Sequence, residues 1–308
     1  MSTFRLDENL TLTQALSAVK SGDVVYLADK TYREKVVIDV PDLTIVGKKN
    51  TRIVYGDYAN KIHADGKEYN TFRTFTVMVT AKNVTMKDLT IENDASNPAV
   101  KGQEVALSVY ADGFYAENVT LISTQDTLFC GPLPDDLITR YIDFLPYTHR
   151  YLEGTARQVF YNCSVMGSVD YVFGCGTTYF LNCEFLNVDD GRDKAFVVAP
   201  AHSLKQTAGF TFIDCLFKKQ GDFESAVYLA RPWRDYGKAT FINCRLGDIT
   251  PEIFDKWNDT ERDRTARFEV YPASSLIGAV SWAKPLDRSG AKRLVAAAKR
   301  LKDRYRKR

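Results

Sequence analysis

Polar and apolar positions in this chain alternate with period two over short stretches, and one short phrase keeps returning. "FYNCSV", "FLNCEF", "FIDCLF" and "FINCRL" each give an aromatic, one further residue, an Asn or Asp, and a Cys, with the cysteines at 163, 183, 215 and 244. The intervals are 20, 32 and 29 residues. Upstream, "AKNVTMKDLTI" and "AENVTLIST" read as weaker copies, with Asn83 and Asn118 in the polar place. Such alternation predicts strands, and a repeat of about 20 residues or more with variable insertions predicts a solenoid. Few segments between the repeats have helical spacing, which argues against a βαβ pattern. The economical solution is all-β, a parallel β-helix whose coils stack strand on strand at roughly 4.8 Å.

The recurring Asn and Asp suit corners, where a short polar side chain satisfies turning backbone. The Asn-x-Thr sequences at Asn83 and Asn118 belong to those corners and are given no weight as glycan sites. Thr11 to Val19 has the pattern of a short helix followed by the strand "DVVYLAD". A helix there would cover the open end of the solenoid. Near the other terminus, Leu294, Ala298, Leu301 and Tyr305 recur at helical spacing, predicting an amphipathic helix with one face toward the core. Between Gly131 and Ala156 lie three prolines and no repeat phrase. This reads as a long insertion, and long loops on repeat folds often flank the functional face. The expected organisation is a β-helix domain over residues 1–283 and a basic helical tail over 284–308.

Composition bounds the picture without changing it. With 308 residues, 45% apolar and 26% charged, the chain is globular. It has no run of eighteen apolar residues, so no membrane span is expected. "MSTFRLDENLTLTQALSAV" lacks the features of a signal peptide, which favours the cytoplasm; a secreted protein with its leader removed is the alternative. The net charge of +2 conceals an asymmetry. Residues 284–308 hold eleven Lys or Arg against two Asp, a net of +9, leaving −7 on residues 1–283. That tail is able to contact a polyanion or an acidic surface. The six cysteines form no C-x-x-C pair and have no nearby His, so they read as small core residues rather than disulfides or metal ligands.

One stretch raises a chemical question. "GSVDYVFG", between two copies of the phrase, embeds Asp170 among apolar residues. With about 22 residues per coil, positions so spaced stack on one face. Gln103 and Gln125 are 22 apart, and Asp170 follows Gln125 by 45, so Gln103, Gln125, Asp126 and Asp170 are expected along one side. Two carboxylates in a partly apolar site separate in pKa, giving a nucleophile or base alongside an acid. A glutamine amide is a neutral donor for a developing oxyanion. Arg231, in "YLARPWRDY", can hold a carboxylate ionised through its fork, and Trp233 offers a flat surface for a sugar. Each residue alone also fits a bland role, a capped corner or a surface brace.

Taken together, "TFRTFTVMVTAKNVTMKDLTIEN", "GQEVALSV", "TQDTLF", "RQVFYNCSVMGSVDYVFG" and "YLARPWRDYGKATFINCRLG" resemble the pectin methylesterases (pectinesterases), from about Thr31 to Asn258. The resemblance implies a right-handed, single-stranded parallel β-helix of the pectin-lyase-like kind. It implies hydrolysis of the C6 methyl esters of homogalacturonan without metal or other cofactor. Carried over by position, Asp170 is the nucleophile, Asp126 the general acid and then base, and Gln125 part of the oxyanion hole. Gln103, Arg231, Trp233 and Tyr171 become substrate contacts, with Arg231 also steadying Asp170. Pectin or methylated oligogalacturonides are the implied partners, met by a monomer with no nucleic-acid or membrane partner.

Several positions depart from the family pattern. Tyr171 and Val172 stand for the usual Phe and Ile, Ala230 for Gly, Phe75 for Ala, and Ile253-Phe254 for Gly-Trp. The 44 residues from Asp126 to Asp170 exceed the plant spacing and suggest a bacterial-type insertion. A pectin lyase or polygalacturonase on the same scaffold is the first alternative. It is disfavoured because "NVDDGRDK" lacks calcium-loop spacing and reads as a solvated turn, and because no His is followed by Gly. A serine esterase lacks its G-x-S-x-G. A catalytically silent carbohydrate-binding relative should have lost an acid or nucleophile, and both are present.

Overall fold

The computed structural model describes residues 2–6, 9–95, 102–145, 156–276 and 278–307. Its strands are short and pair in parallel from coil to coil in a seven-stranded and a seventeen-stranded sheet, the arrangement of a parallel β-helix. The repeated phrases explain why the coils stack. Val165, Phe185, Phe217 and Leu246 are successive register partners, so the phrases lie directly over one another despite unequal intervals. Their leading aromatics form a column inside the solenoid: Phe160 on Phe180 at 5.0 Å, Phe180 on Phe212 at 4.7 Å, and Phe212 on Phe241 at 4.8 Å. The polar members Asn162, Asn182, Asp214 and Asn243 all have φ between 53° and 55°, the left-handed corner that Asn and Asp tolerate best. Cys163, Cys183 and Cys215 are buried and give their thiols to backbone carbonyls, as small core residues do.

The upstream copies differ from expectation. Asn118 lies over Asp88, with its amide donating to that carboxylate at 2.8 Å, whereas Asn83 lies over Asp42 at a separate corner. Both are corners, but "KDLTI" rather than "KNVTM" is the copy that stacks under "ENVTL". The shared Asn-Val-Thr spelling misleads because every corner selects the same side chains.

The N-terminal helix, Leu12–Ala18, carries a capping box between Thr11 and Gln14 and buries Leu12 and Ala15 in the core. At the opposite end Trp282 packs on Phe254 and Phe268. The C-terminal helix, Arg288–Arg306, starts at an Asp287 cap and runs along the flank of the seventeen-stranded sheet. Ala291, Ala298 and Tyr305 are buried against Tyr115, Val159, Tyr179, Leu181, Ile213 and Ile242, with Leu294 and Leu301 partly covered. No described helix is long and apolar enough to cross a membrane.

Of the expected insertion, residues 146–155 lie outside the described residues. The part before them holds a short helix, Asp135–Arg140. Leu133, Leu137 and Leu145 pack with Phe72, Tyr110, Phe129 and Phe173 on the outer side of the seven-stranded sheet.

Candidate active site

The seven-stranded sheet brings the two aspartates together. Leu128 pairs with Val172 and Gln125 with Val169, so Asp126 falls beside Asp170 on the next coil, and its N–H donates to the Val169 carbonyl at 3.0 Å. Both aspartates are left-handed, at φ 62° and 50°. At Asp170 this coincides with a register shift between Val169 and Val172 where the strand meets Lys194–Pro200. A bulge of this kind re-aims a side chain out of the regular alternation. Both residues are nevertheless buried, at 8% and 7% exposure.

One sequence expectation fails here, and the coil spacing is not uniform. The coil offset is 21 residues from the pairing of Leu107 with Leu128 onward, but it changes at a bulge where the Ala106 and Leu107 N–H groups both donate to the Thr127 carbonyl. Before the bulge the Glu104 N–H donates to the Gln125 carbonyl at 3.0 Å, the hydrogen bond of a 22-residue offset, which sets Gln103 beside Gln125 and Glu104 beside Asp126. Tyr171 is wholly buried in the solenoid core, and its hydroxyl has no partner among the described residues. As a strand neighbour of Asp170 it takes the inward face, so it is core and not a substrate contact. Its ring also explains Gly167, where a Cβ would stand 2.3 Å from the Tyr171 Cβ. Likewise Phe254, in place of the family's Trp, is buried at the end of the core.

Arg231 forms a fork with Asp170, Nε donating to Oδ1 at 2.8 Å and a terminal nitrogen to Oδ2 at 2.7 Å. The guanidinium is itself held between two aromatic faces, 3.8 Å from the Phe196 centroid and 4.1 Å from that of Trp257. A bidentate pair braced by two aromatic faces fixes the orientation of the Asp170 side chain. Trp233 meets Phe173 edge-on at 6.0 Å, continuing the aromatic surface.

Asp126 differs. Burial, and next the negative charge of Asp170, push its carboxyl well above the usual range, against the lowering pull of Arg231, Arg192 and a hydrogen bond with Gln125. The site thus pairs an aspartate clamped by a cation with a buried aspartate whose pKa is raised.

Arg192 was not among the sequence candidates. It donates to the side-chain oxygen of Gln125 at 2.9 Å. The Asp-Asp-Gly-Arg turn that carries it is largely exposed, as a solvated turn should be, and is braced by its own hydrogen bonds. Asp190 accepts from Ser168 at 2.5 Å and pairs with Arg192 at 3.4 Å, while Asp189 accepts from the Gly191 N–H. Phe196 and Trp257 were missed as well. Only a tight Gly turn ending in a cation hinted at Arg192, because its partner is 67 residues away in sequence.

Two buried aspartates, one clamped by an arginine, and a glutamine amide thus lie together on the face of a parallel β-helix. The pectinesterase family model matches residues 6–132 and 135–290, and the chain belongs to that family of carboxylic ester hydrolases. It is 28% identical over 281 residues to Pectinesterase QRT1 of Arabidopsis thaliana, covering 87% of this chain and 67% of the relative. To the Pectinesterase of Petunia integrifolia it is 27% identical, covering 88% and 70%. Against probable pectinesterase/pectinesterase inhibitor 21 of A. thaliana it spans only 37% of the relative's length. In fold it is similar to pectin methylesterase PemA from Erwinia chrysanthemi, with TM-score 0.77, 20% identity and coverage of 98% and 96%. Carrot pectin methylesterase gives TM-score 0.76, 20% identity and coverage of 96% and 95%. The expectation of a cytoplasmic location is corrected by these relatives, which are secreted or cell-wall pectinesterases. The composition of the first nineteen residues is no measure of where a chain is delivered.

Proposed function

We propose that this chain demethylesterifies pectin with Asp170 as nucleophile, Asp126 as acid and base, and Gln125 as oxyanion donor. The observation that carries the assignment is the Arg231 fork on Asp170 beside a buried Asp126 on the neighbouring coil, whose pKa burial raises. The ionised Asp170 attacks the ester carbonyl carbon, and the charge moving onto the carbonyl oxygen is met by the Gln125 amide. Collapse of the tetrahedral species expels methoxide, which leaves as methanol with the Asp126 proton. Asp126, now ionised, takes a proton from water, and the resulting hydroxide opens the acyl–Asp170 anhydride. The products are the free galacturonate and a restored Asp170.

The substrate class is pectin or methylated oligogalacturonides, with Trp233 and Gln103 as further contacts. In this reading the chain acts as a monomer without nucleic-acid or membrane partners, and residues 1–283 form the catalytic solenoid ahead of the 284–308 tail. A bacterial-type outline of the 131–156 segment rests on the 44 residues between Asp126 and Asp170. The test is methanol release from highly methylated pectin, with unsaturated products assayed in parallel. Methanol without unsaturated product is expected. Unsaturated product, or no methanol from either pectin or methylated trigalacturonate, overturns the proposal.

A further inference from the structure

The C-terminal helix turns its apolar side to the flank of the solenoid, where Ala291, Ala298 and Tyr305 are buried. Its other side is cationic. Lys292, Arg293, Lys299, Arg300, Arg304 and Lys307 are all exposed, and among the described residues none has a carboxylate within ion-pair distance. Their neighbours are committed elsewhere: Arg306 pairs with Glu117 at 2.8 Å, and Lys302 with Asp303 at 3.3 Å while lying over the Tyr161 ring. The nineteen-residue helix is about 28 Å long, so these charges form a stripe along the molecule, not a point. It covers strands of the seventeen-stranded sheet, whereas Asp126 and Asp170 belong to the seven-stranded one.

We propose that this exposed cationic face is a docking surface for de-esterified galacturonan, a linear polyanion. The inference rests on the proposed function, since each ester hydrolysed adds a carboxylate to the polymer, so the complementarity grows as product accumulates. Charge separation within the molecule favours that occupant. The net of +9 on residues 284–308 opposes −7 on the remainder, so a polyanion is drawn to the helix and repelled elsewhere. An anionic membrane fits less well, because the helix's apolar face is already buried against protein and has nothing left to insert. The expected outcome is an enzyme held by its tail to acidic stretches while the groove works on neighbouring esters.

The test uses the full chain and a variant carrying Lys292→Glu, Arg293→Glu, Lys299→Glu and Arg300→Glu. A second variant with Gln at the same four positions separates lost attraction from added repulsion. Circular dichroism checks that both keep the helix. Affinity electrophoresis through polygalacturonic acid, highly methylated pectin, duplex DNA and phosphatidylserine vesicles reads binding at low and high salt. Wild type should bind polygalacturonic acid and not highly methylated pectin, and lose the binding as salt rises. The Glu variant should bind at least about tenfold more weakly, with turnover of methylated trigalacturonate unchanged. Equal binding by wild type and Glu variant overturns the proposal, as does tighter binding of wild type to DNA or vesicles. Absence of esterase activity with helix-dependent binding intact sinks the catalytic reading but leaves the docking surface standing.

Discussion

The Arg192 guanidinium donates to the side-chain oxygen of Gln125 at 2.9 Å, which leaves the Gln125 amide nitrogen free to hydrogen-bond Asp126. A glutamine amide can otherwise sit either way round, and only one way gives an oxyanion a donor. Arg192→Ala should lower kcat by about tenfold while KM changes little, because the donor is misplaced only where charge develops. Arg192→Lys should recover part of the loss. Equal losses in alanine and lysine variants, carried entirely by KM, would assign Arg192 to substrate binding instead.

Asp170→Asn should abolish methanol release and leave the fold intact, since Asn tolerates the left-handed backbone at this position as Asp does. Arg231→Lys keeps the charge but loses the fork and the stacking between Phe196 and Trp257. We expect a loss of kcat/KM on the order of 10- to 100-fold, measured by steady-state methanol release. Near-wild-type activity in the lysine variant would show that charge alone suffices.

Asp126 links activity to pH and to stability. In the proposed mechanism its proton leaves with methanol, so kcat should fall as pH rises through its raised pKa. The stability sign is the reverse of a salt-bridged carboxylate. Above the ordinary carboxylate pKa the unfolded chain releases this proton while the folded chain retains it, so this group makes stability fall with rising pH until the folded pKa is passed. Asp126→Asn should therefore be nearly inactive yet melt higher than wild type, by a margin that widens from mildly acid toward neutral pH. Melting curves across that range that stay parallel would remove Asp126 as a group with a raised pKa.

Gly167→Ala places a methyl where the Tyr171 Cβ stands and must push that ring, and with it the adjoining Asp170. Overpacking of this kind costs about 1–3 kcal/mol. Chemical denaturation should show a loss of that size together with reduced kcat. A variant as stable and as active as wild type would mean that the coil relaxes freely around the added methyl.

Much of the architecture is legible in the chain because its cause is local and repeated. An aromatic, a corner Asn or Asp, and a Cys at fixed offsets specify a strand, a left-handed turn and a core position wherever they occur, and stacking follows from the repetition. The pairing of Asp126 with Asp170 follows from that repetition too. What only the tertiary structure decided are relations that carry no local signature. The change of coil offset from 22 to 21 residues at Ala106 and Leu107, the bulge that aims Asp170 outward and Tyr171 inward, and the assignment of Asn83 and Asn118 to different corners depend on inter-coil register. The contacts of Arg192 with Gln125, and of Phe196 and Trp257 with Arg231, join residues from different coils through side chains whose types are unremarkable in sequence. Periodicity determines which face a residue is on; the length of each intervening loop, which periodicity does not constrain, determines what it meets there.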